Sequence, residues 1–248
     1  MAVIAGNWKM HMGPAEVAAF FENFDLDGVS SAHEFIVFPP TVSLALAARD
    51  PARDPRVQLG VQNLYWEDRG AFTGEVSAPL AREAGATFAL IGHSERRHVF
   101  GESDADTAKK VEATTRAGLV PVLCVGETLE ERRGGRVDEV ILRQLDAALP
   151  HLGVAGSRYL VAYEPVWAIG TGETATPADA SAAHATLRRR LEESRGIAEA
   201  AGVPLLYGGS VKPSNAKDLL SAHEVDGVLV GGASLEADSF LGIARAGG

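Results

Sequence analysis

Two short segments of the chain contain the side chains best suited to chemistry. In residues 163–172, Glu164 comes directly before a proline and a glycine-bearing loop; in residues 91–97, His93 follows an apolar run. A carboxylate can remove a proton next to a carbonyl group, and an imidazole can donate a hydrogen bond to the carbonyl oxygen. A mobile loop can then close and exclude water. The two segments therefore indicate proton-transfer chemistry, provided that the fold brings them together.

The elements that would position these segments alternate between strands and helices. Eight apolar runs of strand length recur along the chain, and most are continuous rather than alternating, as in parallel strands buried on both faces. The predicted strands are 3–8, 35–39, 57–63, 88–93, 120–126, 159–166, 205–209 and 227–232. Amphipathic stretches lie between them. The spacing predicts helices over 105–116 and 178–195, and one helix over 129–149.

Strict alternation of strand and helix predicts an α/β fold with a parallel sheet. The sheet could be open and doubly wound, or closed as a (β/α)8 barrel with eight parallel strands and outer helices. Eight units in 248 residues match the usual barrel length of about 250 residues. No segment has the composition of a linker. We therefore expect one barrel domain over residues 1–248.

Composition excludes several classes of function. The net charge of −10 argues against nucleic acid, and no apolar stretch is long enough to span a membrane. The first residues lack the basic and apolar regions of a signal peptide. The single cysteine, Cys124, lies in an apolar run, which favours a buried thiol over a reactive one and suits a reducing compartment. We expect a soluble, cytoplasmic protein.

Polar or glycine residues occur at six predicted strand ends. A lone Glu or His at one of them is usually an ion-paired or structural residue, but the ends of barrel strands converge on one rim, where active sites lie. The residues are Asn7 and Lys9, Gln62 and Asn63, His93, Glu164, 208–210, and Gly231 and Gly232. Their convergence predicts a functional site at this rim.

The glycines of the last two strand ends have two interpretations. They either serve tight turns alone or leave backbone N–H groups open to a phosphate, with a short helix after Gly232 adding its positive end. Phosphate sites after strands seven and eight are frequent in such barrels. Because the net charge of −10 repels an anion, such local groups and a lysine would have to hold it.

Two other patterns do not predict a site. Residues 170–175 match G-x-G-x-x-A, but no acidic residue ends a second strand about 20 residues later, as a dinucleotide site requires. The seven histidines lack metal-ligand spacing, since His93 and His98 are five residues apart and no H-x-H or H-E-x-x-H occurs.

The motifs at the strand ends, taken together and in order, closely resemble the triosephosphate isomerase family. The residues that carry the resemblance are 7–10, 62–63, 70–75, 92–97, 163–172, 207–210 and 230–234. The resemblance implies a TIM barrel that interconverts dihydroxyacetone phosphate and D-glyceraldehyde 3-phosphate through an enediol(ate), in glycolysis and gluconeogenesis. It implies no cofactor and no metal.

The resemblance also implies roles for individual residues. Glu164 would be the base, His93 the electrophile at the carbonyl oxygen, and Lys9 the residue that stabilises negative charge on the substrate. Asn7 would contact substrate oxygens. The implied phosphate contacts are Gly170, Ser210, Gly231 and Gly232.

The family's histidine is neutral near a helix N-terminus, and a loop excludes water from the site. Ser94 is suited to cap the helix that follows His93, which would place the imidazole near a positive helix end. Trp167 and Ile169 would give the loop apolar cover.

Further implications concern the surroundings of the site. Glu95 would lie behind it, near Lys9, the alternative being a plain acidic residue at a helix N-terminus. The segment 65–75 would reach into a neighbouring subunit of a homodimer. Thr73 would then lie near the partner's active site. His11 and Glu173 stand where many members carry asparagine and lysine, which bears on the dimer contact and on the loop's kinetics.

Two alternatives stay open at this point. Another phosphate-binding barrel enzyme, a sugar-phosphate isomerase or an aldolase, is one. A Schiff-base aldolase would need a desolvated lysine at a central strand end, whereas Lys9 begins the first loop. A non-catalytic binding barrel is the other, and it predicts the loss of at least one of Lys9, His93 and Glu164.

Overall fold

The computed structural model describes residues 1–169 and 174–247, in which eight parallel strands form a closed barrel in sequential order. The strands are β1 (Val3–Asn7), β2 (Glu34–Phe38), β3 (Val57–Val61), β4 (Phe88–Ile91), β5 (Val120–Val125), β6 (Leu160–Tyr163), β7 (Leu205–Tyr207) and β8 (Gly227–Val230). β1 pairs in parallel with β8 and closes the ring. The prediction of an α/β fold with a closed (β/α)8 barrel is confirmed.

Each strand is buried on both faces, which explains the continuous apolar runs in the sequence. One set of side chains fills the barrel interior and a second set packs under the helices. In β1, Val3 and Ala5 belong to the interior and Ile4 to the outer layer. Cys124 is a buried free thiol of the interior, and burial raises its pKa well above the usual value. It packs as the sequence predicts.

Helices follow the strands and cover the barrel. The described α-helices are α1 (Pro14–Asn23), α2 (Thr41–Arg49), α3 (Ala78–Glu83), α4 (Ser94–His98), α5 (Asp104–Arg116), α6 (Leu129–Arg133), α7 (Val137–Ala148), α8 (Pro177–Arg195), α9 (Ile197–Ala201), α10 (Ala216–Leu220) and α11 (Ala237–Arg245). Short 3-10 helices occur at Leu149–His151, Val154–Gly156, Val166–Ala168 and Gly232–Ser234. None of the described helices is both long and apolar enough to cross a membrane.

The prediction of one helix over 129–149 is wrong, because α6 ends at Arg133 and α7 begins at Val137. Gly134 caps α6 through a hydrogen bond from its N–H to Glu130 O at 2.9 Å, and Gly135 adopts a positive φ of 69°. A left-handed glycine at this place ends a helix and turns the chain. Apolar periodicity continues across the break and therefore conceals it.

Candidate active site

Residues from five of the six predicted strand ends surround one cavity at the carboxyl ends of the strands, whereas Gln62 and Asn63 are not among its lining. Its volume is about 290 Å³. The site residues among its lining are Asn7, Lys9, His93, Glu164, Ser210, Gly231 and Gly232. Gly170, the remaining predicted phosphate contact, and Glu173 lie outside the described residues. The structure therefore brings together side chains from the ends of β1, β4, β6, β7 and β8.

His93 lies between β4 and α4 and is itself the residue that caps this helix. Its Nδ1 accepts the Glu95 backbone N–H at 3.3 Å. The prediction that Ser94 caps the helix is wrong, since Ser94 is the first helical residue. Because Nδ1 accepts a hydrogen bond, the neutral imidazole carries its proton on Nε2. This nitrogen lies 2.9 Å from Glu164 Oε1 and donates to it.

Glu164 is buried, with an exposed fraction of 2%, and both of its carboxylate oxygens have partners. Oε1 accepts from His93 Nε2, and Oε2 accepts the Ser94 backbone N–H at 3.0 Å. Burial alone raises the pKa of Glu164, but the interaction with His93, the Ser94 N–H and the charge of Lys9 together lower it below the usual value. The carboxylate is therefore ionised, as a base must be.

Gly208, at the end of β7, allows the Glu164 side chain to occupy its position. A Cβ atom on Gly208 would lie 2.8 Å from Glu164 Cγ and 3.3 Å from Tyr163 O. The sequence pattern assigns this glycine to turns or phosphate contacts. The structure gives it a further role, as the wall against which the carboxylate side chain packs.

Lys9 lies in the first loop with a left-handed backbone, φ 50°, which is strained for a residue with a side chain. Two side chains hold this conformation. Asn7 Oδ1 accepts the Lys9 N–H at 3.0 Å, and Gln62 Nε2 donates to Lys9 O at 2.8 Å. Lys9 Nζ lies 2.5 Å from Glu95 Oε1, so Glu95 is next to Lys9, as the resemblance implies. Asn7 and Gln62 thus fix the lysine that faces the cavity.

The loops after β7 and β8 form the end of the cavity predicted to hold a phosphate. The 3-10 helix Gly232–Ser234 begins directly after Gly231. A Cβ atom on Gly232 would meet no atom of the described residues within 4 Å, so among them the backbone there is open to a ligand. Trp8 Nε1 donates to Ser234 O at 3.0 Å and ties this turn to the first loop.

The loop after β6 begins with the 3-10 helix Val166–Ala168. Glu127 Oε1 accepts from Trp167 Nε1 at 2.8 Å and from Tyr163 OH at 3.1 Å. The Arg132 guanidinium lies 4.5 Å from the centre of the Trp167 ring. Burial raises the pKa of Glu127. The first turn of the loop is therefore fixed by a buried acceptor, and Ile169 lines the cavity just beyond it.

Sequence reasoning missed three residues that line the cavity, Val211, Lys212 and Leu229. Leu229 belongs to the barrel interior, and only the register of β8 identifies which face it occupies. Lys212 stands two residues after the predicted strand end 208–210, and this closeness to the strand end is the one signal in the sequence that could have identified it.

Thr73 lies elsewhere, exposed in the segment 65–75 that follows β3. Within this segment the Tyr65 ring stacks on Trp66, with centroids 4.1 Å apart, and contacts Phe72 at 4.6 Å. Across residues 1–169 and 174–247, no three His, Cys, Asp or Glu side chains are grouped so that they could hold a metal ion.

The sequence was compared with those of known proteins. The model of the triosephosphate isomerase family matches residues 2–247. The triosephosphate isomerase of Solibacter usitatus is 47% identical over 248 residues, which cover 97% of each chain. Those of Moorella thermoacetica and Alcanivorax borkumensis are 48% and 49% identical, over 97% and 98% of this chain and 96% and 97% of theirs.

Proposed function

The chain belongs to the triosephosphate isomerase family, and we propose that Glu164 and His93 carry out its reaction, the interconversion of dihydroxyacetone phosphate and D-glyceraldehyde 3-phosphate. The observation that carries the proposal is the contact of 2.9 Å between His93 Nε2 and Glu164 Oε1 in a cavity whose other end is formed by Ser210, Gly231 and Gly232. The phosphate would lie at that end, and the carbonyl group would lie between the two side chains.

The two side chains would divide the proton transfers. Glu164 removes a proton from the carbon next to the carbonyl group and returns it to the neighbouring carbon. His93 Nε2–H donates to the carbonyl oxygen as it becomes an enediolate oxygen, and relays the hydroxyl proton between the two oxygens. Since Nε2 now donates to Glu164 itself, the substrate oxygen has to replace that carboxylate, which frees it to reach the carbon.

The surroundings support these roles. Lys9 Nζ would stabilise the negative enediolate, and its pairing with Glu95 makes it unlike the desolvated lysine that a Schiff-base aldolase uses. The relatives named above support an isomerase rather than an aldolase. Exclusion of water around the bound substrate would lower the local dielectric and strengthen the interactions of both Lys9 and His93 with it.

A coupled spectrophotometric assay of D-glyceraldehyde 3-phosphate isomerisation, with the wild type beside Glu164→Gln, tests the proposal. The amide cannot accept the proton, so we expect kcat to fall by about 10³-fold or more while the circular dichroism spectrum is unchanged. An inactive but folded wild type would contradict the function, and equal turnover in both proteins would remove Glu164 as the base.

We further propose that two chains associate through the segment 65–75, with Thr73 close to the partner's active site. Support comes from exposed apolar side chains, because Phe72 in this segment is 39% exposed and Met10 beside Lys9 is 94% exposed. Light scattering should give twice the chain mass of 26.1 kDa for the wild type and a single chain for Thr73→Arg. A wild-type mass of one chain would contradict the dimer.

We also propose the cytoplasm as the compartment. The one cysteine is a buried free thiol, as is usual for proteins of a reducing compartment. Fractionation of the source cells followed by immunoblotting would test this, and recovery of the protein in a membrane or secreted fraction would contradict it.

A further inference from the structure

The cavity contains a second lysine that the proposed chemistry does not use. Lys212 lines the same cavity as Ser210 and Gly231, and it is exposed at the mouth. Asn215 holds this part of the loop in place. Its Oδ1 accepts the Lys212 backbone N–H at 2.7 Å, and its Nδ2 donates to Ser210 O at 3.0 Å. The loop therefore fixes Lys212 next to Ser210, at the end proposed to hold the phosphate.

The two lysines of the cavity differ in their charge environment. Lys9 is paired with Glu95 at 2.5 Å, and the Glu164 carboxylate adds a further negative charge to the cavity. Within the part of the chain that the structure describes, Lys212 has no carboxylate within ion-pair distance. Its positive charge is therefore not offset by a direct partner.

The ligand and the protein repel each other at a distance. The chain has a net charge of −10, and a phosphate monoester carries about 1.5 to 2 negative charges at pH 7. A cation at the mouth of a cleft raises the local concentration of an anionic ligand and its rate of association. An exposed lysine beside the phosphate end is placed to have such an effect.

We propose that Lys212 is a binding residue that attracts the phosphate group of the substrate into the cavity. This rests on the proposed function and adds a residue to its site. Lys212 acts on the dianionic group during capture and does not touch the reacting carbons. The ligand class is therefore a phosphate monoester of a small carbonyl compound, and the effect of Lys212 disappears for a substrate without the phosphate.

The test compares Lys212→Gln with Lys217→Gln, in the coupled assay with D-glyceraldehyde 3-phosphate. Lys217 is an exposed residue of α10 outside the cavity lining, so both variants change the net charge equally. At about 20 mM ionic strength we expect Lys212→Gln to lower kcat/KM by about threefold to fivefold, through KM rather than kcat. At about 300 mM the difference should largely vanish, because salt screens exposed charges.

Two further measurements separate charge from structure. Lys212→Arg should restore kcat/KM, and turnover of D-glyceraldehyde, which lacks the phosphate, should be equal in wild type and Lys212→Gln. A loss shared equally by Lys217→Gln would overturn the proposal, since it would be an effect of net charge. So would a loss that persists at high salt or extends to D-glyceraldehyde, since either would indicate a structural effect.

Calorimetric binding of glycerol 3-phosphate, an unreactive phosphate monoester, separates this proposal from the proposed function. Weaker binding by Lys212→Gln than by Lys217→Gln would support the role of Lys212 even if the wild type had no isomerase activity. Equal binding by the two variants would overturn it.

Discussion

His93 and Glu164 show how the chemistry of a residue depends on atoms outside its side chain. The Glu95 backbone N–H occupies Nδ1 of His93 and so assigns the proton to Nε2, the nitrogen that faces Glu164. The Ser94 backbone N–H occupies the second oxygen of Glu164. The start of α4 thus fixes both the tautomer of the histidine and the orientation of the carboxylate.

At this scale we expect Gly208→Ala to impair catalysis without impairing folding. The new methyl group would lie 2.8 Å from Glu164 Cγ, so the carboxylate side chain has to move. A misplaced base loses about tenfold to hundredfold in kcat. Steady-state kinetics measures the loss. The control is Gly13→Ala, where the added Cβ meets Glu16 Oε2 at 3.5 Å and no other atom of the described residues within 4 Å, and equal kcat values for the two variants would contradict the packing argument.

Gln62 is a second residue whose effect on the site is indirect. Its Nε2 donates to Lys9 O and to Phe38 O, each at 2.8 Å, and so supports the left-handed backbone of Lys9. Gln62→Met should release this backbone and lower kcat/KM by about tenfold, because a shift of the Lys9 ammonium weakens its interaction with the substrate. The coupled assay of D-glyceraldehyde 3-phosphate isomerisation measures this loss of kcat/KM.

Gln58→Met is the matched control, since Gln58 lies toward the opposite end of β3 and binds Glu34 at 2.8 Å. We expect its kcat/KM to match the wild type. If Gln62→Met also matched the wild type, the left-handed conformation of Lys9 would have to be held by Asn7 alone.

The site residues could be predicted from sequence to different degrees. Glu164, His93 and Lys9 stand at or just after strand ends, so the topology alone brings them to one rim. The link from Gln62 to Lys9 joins residues far apart in sequence, and no local pattern encodes it. Ser94 is a preferred capping residue, yet His93 takes the cap through Nδ1 while its Nε2 lies 2.9 Å from Glu164 Oε1, a pairing that no local pattern encodes.

At the scale of elements, the strands were the most predictable part and the helix boundaries the least. Burial on both faces leaves a continuous apolar signature in each strand. Strands such as β4 and β8 end at Ile91 and Val230, before their predicted ends, because the following residues leave the pairing to form the loops of the site. The break between α6 and α7 was missed because charge and apolar spacing continue across it.

Helix α8 is joined to the loops before β7 and β8 through Arg188, a buried guanidinium. It donates to Glu224 Oε2 and Asp226 Oδ2, each at 2.7 Å, and to Val203 O at 2.7 Å and Ala200 O. Asp226 Oδ2 in turn accepts the Leu205 N–H at the start of β7. One side chain therefore connects a helix to the strands that carry the predicted phosphate loops.

We expect Arg188→Met to lower the free energy of unfolding by about 3 kcal/mol, since it leaves two backbone carbonyls and two partly exposed carboxylates without their donor. Arg190→Met, on the same helix, removes a more exposed pair with Asp146 and should cost less than about 1 kcal/mol. Urea unfolding monitored by circular dichroism compares the two. Similar losses in both variants would show that Arg188 acts as an ordinary surface residue.

At the scale of the whole molecule, the outer layer and the barrel interior meet at every strand, so disruption of either exposes the other. We therefore propose that residues 1–248 fold as one domain and unfold in one transition at fixed protein concentration. Two separate transitions in urea would contradict this. The sequence could predict the single barrel because no linker interrupts its eight units, but the contacts that determine its stability, such as those of His184, lie between distant residues.

The stability of the molecule should depend on acid through His184, a fully buried residue of α8. Its Nδ1 lies 2.7 Å from Glu224 O, its Nε2 has no hydrogen-bond partner among residues 1–169 and 174–247, and its ring meets the Tyr163 ring edge-on. Burial lowers the pKa of His184 from 6.5 to about 4. An imidazolium there would lose its hydration, so the folded protein holds the ring neutral while the unfolded chain binds the proton.

The direction of the pH effect follows from this difference. Above pH 6.5 neither state binds the proton and the stabilisation is complete; as the pH falls from 6.5 toward 4, only the unfolded state gains a proton and the folded state is destabilised. This difference in pKa between the folded and unfolded states corresponds to at most about 3 kcal/mol of the free energy of unfolding. The free energy of unfolding in urea, measured at pH 7 and pH 4.5, should fall less in His184→Gln than in the wild type. His223→Gln, an exposed change, should follow the wild type, and an unchanged pH dependence in His184→Gln would assign acid sensitivity to other groups.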